Sequence, residues 1–241
     1  MVVALVTGGN AGIGEAVVRQ LATIPGFHVI VGSRNLSAAQ SLVKSLNSSG
    51  YSVSSVQLDL TSDESISKAM EHIASTHGQL DILINNAAIL IDLAPEGFTS
   101  TRDLFKKTFE TNVIGTAVLT EAALPLLQKS VHPRVIFVSS QMGSMHSSLD
   151  VTKPFYAIDI KAYDSSKAAV NMLAINYARI LKPFGGVSNA VCPGLVITKL
   201  NGFNEAGAPV EVGAERIVEL ATAAPGGQTG TFSNREGPLR W

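Results

Sequence analysis

Tyr163 and Lys167 stand four residues apart, downstream of Ser139 and Ser140, which end the apolar run Val135-Ile136-Phe137-Val138. On a helix, a spacing of four puts two side chains on one face. A phenol beside an ammonium, with a hydroxyl to hold a substrate oxygen, makes a proton-transfer set. A free phenol titrates at about 10, and a cation held beside it favours the phenolate and lowers that value. Taken alone, the pair has a plain alternative: a tyrosine at a core edge and a solvated helix lysine.

For these groups to meet, residues 134–138 must form a buried strand and the residues from Ala162 a helix. Ala168, Ala169, Met172 and Leu173 give that helix its apolar pattern. The same alternation runs along the whole chain. Strands are predicted at residues 2–7, 28–32, 52–58, 80–84, 134–138 and 186–191, with a short seventh at 229–232. Helices are predicted at about 12–22, 36–46, 63–75, 112–128 and 162–181. Continuously apolar strands alternating with helices specify an α/β fold, a parallel sheet covered on both faces. No repeat or linker divides the 241 residues, so one domain is expected. Its cofactor half covers about residues 1–130 and its catalytic and substrate half about 131–241.

Hydrophobic residues make up 46% of the chain and charged residues 15%, with a net charge of −1. That composition excludes disorder and a basic nucleic-acid surface. No apolar run is long enough to span a bilayer, and no signal peptide precedes the first strand, so a cytoplasmic protein without membrane association is expected. The single cysteine, Cys192, excludes a disulfide framework, and the five histidines lack ligand spacing, so no metal is expected.

The predicted carboxyl ends of the strands carry the unusual residues: Thr7-Gly8-Gly9-Asn10-Ala11-Gly12-Ile13-Gly14, Ser33-Arg34-Asn35, Asp59-Leu60, Asn85-Asn86-Ala87-Ala88, Ser139-Ser140 and Cys192-Pro193-Gly194. In open α/β sheets ligands bind at that edge. The glycine stretch departs from the G-x-G-x-x-G spacing, but its physics is the same. Glycines allow a tight turn and close backbone approach, and the following helix N-terminus favours a pyrophosphate. The second strand end selects the dinucleotide. A carboxylate there would take the ribose hydroxyls of NAD; Ser33-Arg34 instead suits the 2′-phosphate of NADP. Two readings stand for Asp59, an acceptor for the adenine amino group or a turn residue. Asn85 and Asn86 either hold backbone around the adenosine ribose or form a turn. Asn112, inside an apolar helical pattern, is unfavourable unless its amide is used, in the core or in a site.

Together these residues resemble the short-chain dehydrogenase/reductase family over nearly the whole chain. The motifs are Thr-Gly-x-x-x-Gly-x-Gly at Thr7 to Gly14, Asn-Asn-Ala at Asn85 to Ala87, Tyr-x-x-x-Lys at Tyr163 and Lys167, and Pro-Gly-x-x-x-Thr at Pro193, Gly194 and Thr198. Ala88 stands where the family carries glycine. The resemblance implies a doubly wound Rossmann-like sheet of seven parallel strands in the order 3-2-1-4-5-6-7. It implies Ser140 rather than Ser139 as the catalytic serine, and Asn112 as the active-site asparagine, holding a water. Cofactor contacts would come from Gly8, Asn10, Gly12, Ile13, Gly14, Arg34, Asp59, Leu60, Asn86, Ala87, Pro193, Gly194, Val196 and Thr198, with Tyr163 and Lys167. Within the family the chain is most similar to the cytosolic NADPH-dependent carbonyl reductases.

The activity implied is hydride transfer from NADPH to a ketone or aldehyde, with Tyr163 as general acid. Ser140 would orient the carbonyl, and Lys167 would hold the nicotinamide ribose and lower the phenol's pKa. Residues 142–160 and 195–209 are expected to shape the substrate pocket, the latter as a lid. Two rival readings are an NAD-dependent alcohol dehydrogenase working oxidatively and a dinucleotide-binding scaffold without turnover. The helices at 112–128 and 162–181 are apolar nearly all round. Residues 141–160 are shorter than the insertion that covers these helices in the carbonyl reductases, so a homodimer or homotetramer through them is expected.

Overall fold

The strands are runs of aliphatic and β-branched residues whose side chains alternate between two faces, and both faces are dry. In the computed structural model, which describes residues 1–241, Val3 and Leu5 point into one apolar cluster and Ala4 and Val6 into another. The strands are β1 (Val2–Thr7), β2 (Phe27–Ser33), β3 (Val53–Gln57), β4 (Ile82–Asn85), β5 (Arg134–Val138), β6 (Val187–Val191), β7 (Phe232–Asn234) and β8 (Gly237–Pro238). The helices are α1 (Gly12–Ala22), α2 (Leu36–Ser48), α3 (Asp63–His77), α4 (Thr101–Phe109), α5 (Thr116–Leu127), α6 (Met145–Ser148), α7 (Lys161–Leu181) and α8 (Val210–Ala221).

The sheet order is β3-β2-β1-β4-β5-β6-β7-β8, parallel up to β7. The expected order of seven therefore holds, with one correction: β8 adds an antiparallel eighth strand after a turn in which Asn234 Oδ1 accepts the N–H groups of Glu236 and Gly237. The last parallel strand also lies later than residues 229–232. Helices α3, α5 and α7 cover the face that holds Leu5, Leu83 and Phe137. Helices α1, α2 and α8 cover the face that holds Val6, Ile84 and Ile136.

Helices α4 and α8, and the single turn α6, lie outside the predicted set. In α4 the exposed Arg102, Lys106 and Lys107 outnumber the buried Leu104 and Thr108, so its apolar stripe is faint. In α8 the stripe of Ala214, Ile217, Leu220 and Ala221 has helical spacing that sequence reading could have found. The helix predicted at 112–128 starts further back. It runs on from α4 through a π-helical turn, Glu110–Gly115, into α5. Gly115 is required in that turn, because a Cβ there would fall 2.0 Å from the Leu60 carbonyl oxygen.

Helix α7 positions the central groups. Its buried stripe is Tyr163, Ser166, Lys167, Val170, Asn171, Ala174, Tyr177, Ala178 and Leu181, at spacings of three and four. Tyr177 stacks on Phe137 of β5 with ring centroids 5.7 Å apart, and its hydroxyl donates to Glu121 of α5 at 2.8 Å. Such an aromatic pair contributes about 0.5–1.5 kcal/mol beyond its burial. Helix α7 is thereby fixed against β5 and α5 before any active-site contact is counted.

Candidate active site

The glycine turn between β1 and α1 is held from the side by the segment after β4. The Thr7 hydroxyl accepts the N–H groups of Asn86 and Ala87, both at 2.9 Å, and donates to the Ile84 carbonyl at 3.3 Å. Asn86 Nδ2 donates to the Thr7 carbonyl at 2.8 Å. Gly8 and Gly12 have φ of 62° and 55°, a region that favours glycine. At Gly14 a Cβ would lie 2.3 Å from the Gly8 carbonyl oxygen and 2.5 Å from Asn86 Nδ2. The backbone of the turn therefore lies open, and α1 follows Ala11, which puts no side-chain cap on its first N–H groups. Of the two asparagines, only Asn86 serves the turn. Asn85 is buried in the sheet and donates to Thr120 at 3.0 Å.

A cavity of about 990 Å³ runs along the carboxyl ends of six strands, from this turn to Tyr163 and Lys167. Its wall carries Gly8, Asn10, Gly12, Ile13, Gly14, Arg34, Asp59, Leu60, Asn86, Ala87, Pro193 and Thr198, as expected from the sequence. Ile89, Leu90, Ile91 and Thr111 also line it without having been expected to. Lys199 and Leu200 come from the 195–209 segment expected to shape the pocket, whereas no residue of 142–160 reaches this wall. Ser140, Asn112, Gly194 and Val196 do not contribute to this wall. Val196 is buried, and its carbonyl accepts from Asn201 Nδ2 at 2.8 Å.

Arg34 is exposed at the cavity rim and forms no ion pair within the chain. Behind it the Ser33 hydroxyl donates to Asn10 Oδ1 at 2.8 Å, joining the second strand end to the glycine turn. Asp59 Oδ1 accepts the N–H and hydroxyl of Thr61 at 2.9 and 2.8 Å, the bonds of a turn residue. Burial pushes its carboxyl up, but Thr61 and the charge of Arg34 outweigh that and hold it below the usual range. An open glycine turn, an uncapped helix N-terminus and a free guanidinium at the second strand end suit a dinucleotide with an extra phosphate.

At the other end Tyr163 and Lys167 lie side by side, with Lys167 Nζ 5.5 Å from the phenol ring centroid. Lys167 is buried, and Nζ donates to the Val138 carbonyl at 2.8 Å. The expected lowering of the phenol does not occur in the chain alone. Burial pushes Tyr163 well up, Cys192 and Asp164 push the same way, and only hydrogen bonding with Ser140 opposes them. The same burial pulls Lys167 down to about 8, with Cys192 opposing. Desolvation penalises both charged forms, and it is the largest cause of both shifts.

The two serines are used differently. The Ser139 hydroxyl donates to Asn171 Oδ1 at 2.6 Å and is buried. The half-buried Ser140 caps the turn Gln141–Gly143 by accepting the Met142 N–H at 3.1 Å, and it is the serine that interacts with the phenol. Asn112 is fully engaged. Its Oδ1 accepts the Ile89 N–H at 2.8 Å, and Nδ2 donates to the Ile89 carbonyl at 2.9 Å and to Ser166 Oγ at 3.0 Å. Ser166 in turn donates to the Tyr163 carbonyl at 2.7 Å. The amide thus ties the cavity wall at Ile89 to the first turn of α7. A π-helical turn at such a position is a frequent companion of functional sites.

Beside Tyr163, Asp164 is pushed up to about 7 by burial first and then by Asp92 and Asp159. Asp92 Oδ1 accepts the Ala162 N–H at 2.9 Å, capping α7 from the loop after β4. No group of histidine, cysteine and carboxylate side chains is arranged to hold a metal, and no helix is long and apolar enough to cross a membrane.

A family model described as short chain dehydrogenase matches residues 2–208. A short-chain dehydrogenase of Penicillium roqueforti is 35% identical over 223 residues, covering 90% of this chain and 87% of the relative. The (+)-neomenthol dehydrogenase of Arabidopsis thaliana is 33% identical, covering 90% of each chain. Among solved structures, an NADPH-bound carbonyl reductase from chicken fatty liver superposes with a TM-score of 0.84 at 25% identity, covering 100% of both chains.

Proposed function

The chain belongs to the short-chain dehydrogenase family of oxidoreductases, and on that premise we propose that it is an NADPH-dependent reductase of a ketone or aldehyde. The observation that carries the reading is one cavity with an unpaired Arg34 at one end and Tyr163 and Lys167 side by side at the other, with Ser140 behind the wall against the phenol. The neomenthol dehydrogenase and carbonyl reductase likenesses support a carbonyl–alcohol couple. NADPH, when bound, supplies the hydride that adds to the carbonyl carbon.

The chain's own residues do the rest. The glycine turn and the first N–H groups of α1 receive the pyrophosphate, and Arg34 pairs with the 2′-phosphate. Asp59, Leu60 and Ala87 border the adenosine half, and Thr198, close to Gly12, holds the nicotinamide carboxamide together with the Pro193–Gly194 turn and the Val196 backbone. Ser140 donates to the substrate oxygen and orients it. Tyr163 donates its proton to that oxygen as negative charge develops there; its raised pKa keeps the proton available until the substrate is in place. Lys167 Nζ, already fixed on the Val138 carbonyl, reaches the nicotinamide ribose. Asn112 keeps the Ile89 wall and α7 in register beside a relay water. Residues 1–130 thus serve mainly the cofactor and residues 131–241 the chemistry.

Ile89, Leu90, Ile91 and Leu200 make the substrate end apolar. Ile114, Met172 and Ile180 remain exposed on the π-helical turn and α7, a face suited to a second copy of the chain in a homodimer or homotetramer. Oxidation of NADPH and of NADH over a panel of carbonyl compounds tests the activity. Turnover with NADPH at a far higher kcat/KM supports the reading; equal use of the two, or none with any carbonyl, overturns it. Light scattering after size exclusion tests assembly, and a single species of 25.3 kDa would refute it.

A further inference from the structure

A polar amide sits in the middle of the buried stripe of α7. Asn171 lies one turn beyond Lys167 and two beyond Tyr163, on the same face, between Val170 and Ala174. Burying an amide costs stability unless its hydrogen bonds are made, and an aliphatic residue would fill the place without that demand. Here both ends are engaged. Oδ1 accepts the Ser139 hydroxyl at 2.6 Å, and Nδ2 donates to the Gly143 carbonyl at 3.2 Å. The Gly143 oxygen can only accept, which fixes the amide in this orientation.

These two partners flank Ser140, one immediately before it and one closing the turn that it caps. The Ser139 hydroxyl also lies 3.3 Å from the Lys167 carbonyl. Gly143 lies so close to α7 that a Cβ on it would fall 2.6 Å from the Lys167 carbonyl carbon. On the far side the Gln141 N–H meets Cys192 Sγ at 3.2 Å. The segment carrying Ser140 is therefore docked onto the helix that carries Tyr163 and Lys167, and the one α7 side chain that bonds it on both sides of Ser140, Asn171, does not line the cavity.

We propose that Asn171 is a positioning residue that holds Ser140 at its working distance from Tyr163. The inference rests on the role given to Ser140 above. A hydroxyl that must share one substrate oxygen with a phenol tolerates little displacement, and a misplacement of about 1 Å can cost on the order of a hundredfold in rate.

The test is a double-mutant cycle. Asn171→Leu keeps the volume and removes both bonds. It is made in the unmodified chain and in Ser140→Ala, with kcat, NADPH dissociation constant and Tm measured for each. The expected result is a fall in kcat of about ten- to a hundredfold in the unmodified background, an unchanged NADPH dissociation constant, and less than about a twofold further fall in Ser140→Ala. A purely structural amide would lower kcat by the same factor in both backgrounds, and that outcome, or an unchanged kcat in folded Asn171→Leu, overturns the proposal. If Asn171→Leu does not fold, Ser139→Ala carries the same cycle, since it removes one of the two bonds and keeps Ser140; equal losses in both backgrounds again count against it. Absence of carbonyl turnover in the unmodified chain would instead remove the reading of Ser140, and the inference with it.

Discussion

Polar side chains are buried at both edges of the sheet, and the two edges use them in opposite ways. At the amino edge Asp81 accepts the Val3 N–H at 2.8 Å and the Ser130 hydroxyl at 2.5 Å. Arg134 donates to the Ala221 carbonyl at 2.8 Å, closing the end of α8. These groups hold backbone ends that would otherwise be buried without partners. At the carboxyl edge the scaffolding is done by Thr7, Asn86, Ser139, Asn112 and Asn171, which leaves Tyr163, Ser140 and Arg34 with atoms to spare. A charged or hydroxyl side chain is thus not a functional mark in itself. What distinguishes the site is polar capacity left unspent beside a cavity.

Four changes would break or sharpen that contrast. The largest effect is expected from Tyr163→Phe, which should lower kcat by about 10²–10⁴ and leave NADPH binding and Tm nearly unchanged. Near-normal turnover would place the acid elsewhere. Next, Arg34→Ala should weaken NADPH recognition by about 1.5–3 kcal/mol and spare NADH, as titration with each cofactor would show.

At the amino edge the sign of the outcome reverses. Arg134→Met should leave kcat per folded molecule unchanged. It should cost about 1–3 kcal/mol in denaturant melts, because the Ala221 carbonyl loses its buried donor. A loss of activity with normal stability would contradict the division between edges.

The smallest effect concerns His28, at the amino end of β2, and His77, whose rings lie 4.5 Å apart. Burial holds both below their usual value, with His77 acting on His28 and His72 on His77. Below about pH 6.5 the unfolded chain then binds more protons than the folded one. The stability this implies is complete above that pH and is lost as pH falls, so Tm should be lower at about pH 5.5 than at about pH 7.5. His77→Ala should flatten that slope; an identical pH profile in the variant would show that other groups set it.

The fold was legible wherever burial imposed a period. The six main strands and five helices show as apolar runs and stripes, because both sheet faces must be dry. Helix α4 escaped because its surface positions outweigh Leu104 and Thr108. The π-helical turn was invisible because its cause, Gly115 against Leu60, joins distant parts of the chain. In the site, Tyr163, Lys167 and the glycine turn were singled out by residue type and spacing only in combination with the order of strands and helices that carry them. Thr7 as a clamp on Asn86 and Ala87, and Asn171 as a partner of Ser139 and Gly143, were not, since each acts across a large sequence separation.

By itself the amino-acid sequence determined which residue types reach the carboxyl ends of the strands, which pair shares a helical face, and which charge stands at the second strand end. Those are consequences of local period and order along the chain. Only the tertiary structure decided which serine caps its turn toward the phenol and which is spent on Asn171, and that Asn85 serves the core while Asn86 serves the turn. It alone decided the direction in which Tyr163 and Lys167 titrate. The spacing predicted a lowered phenol; burial raised it and lowered the lysine. The physical reason is that attraction between two charges can be inferred from their separation, whereas desolvation depends on everything packed around them, which local sequence does not encode.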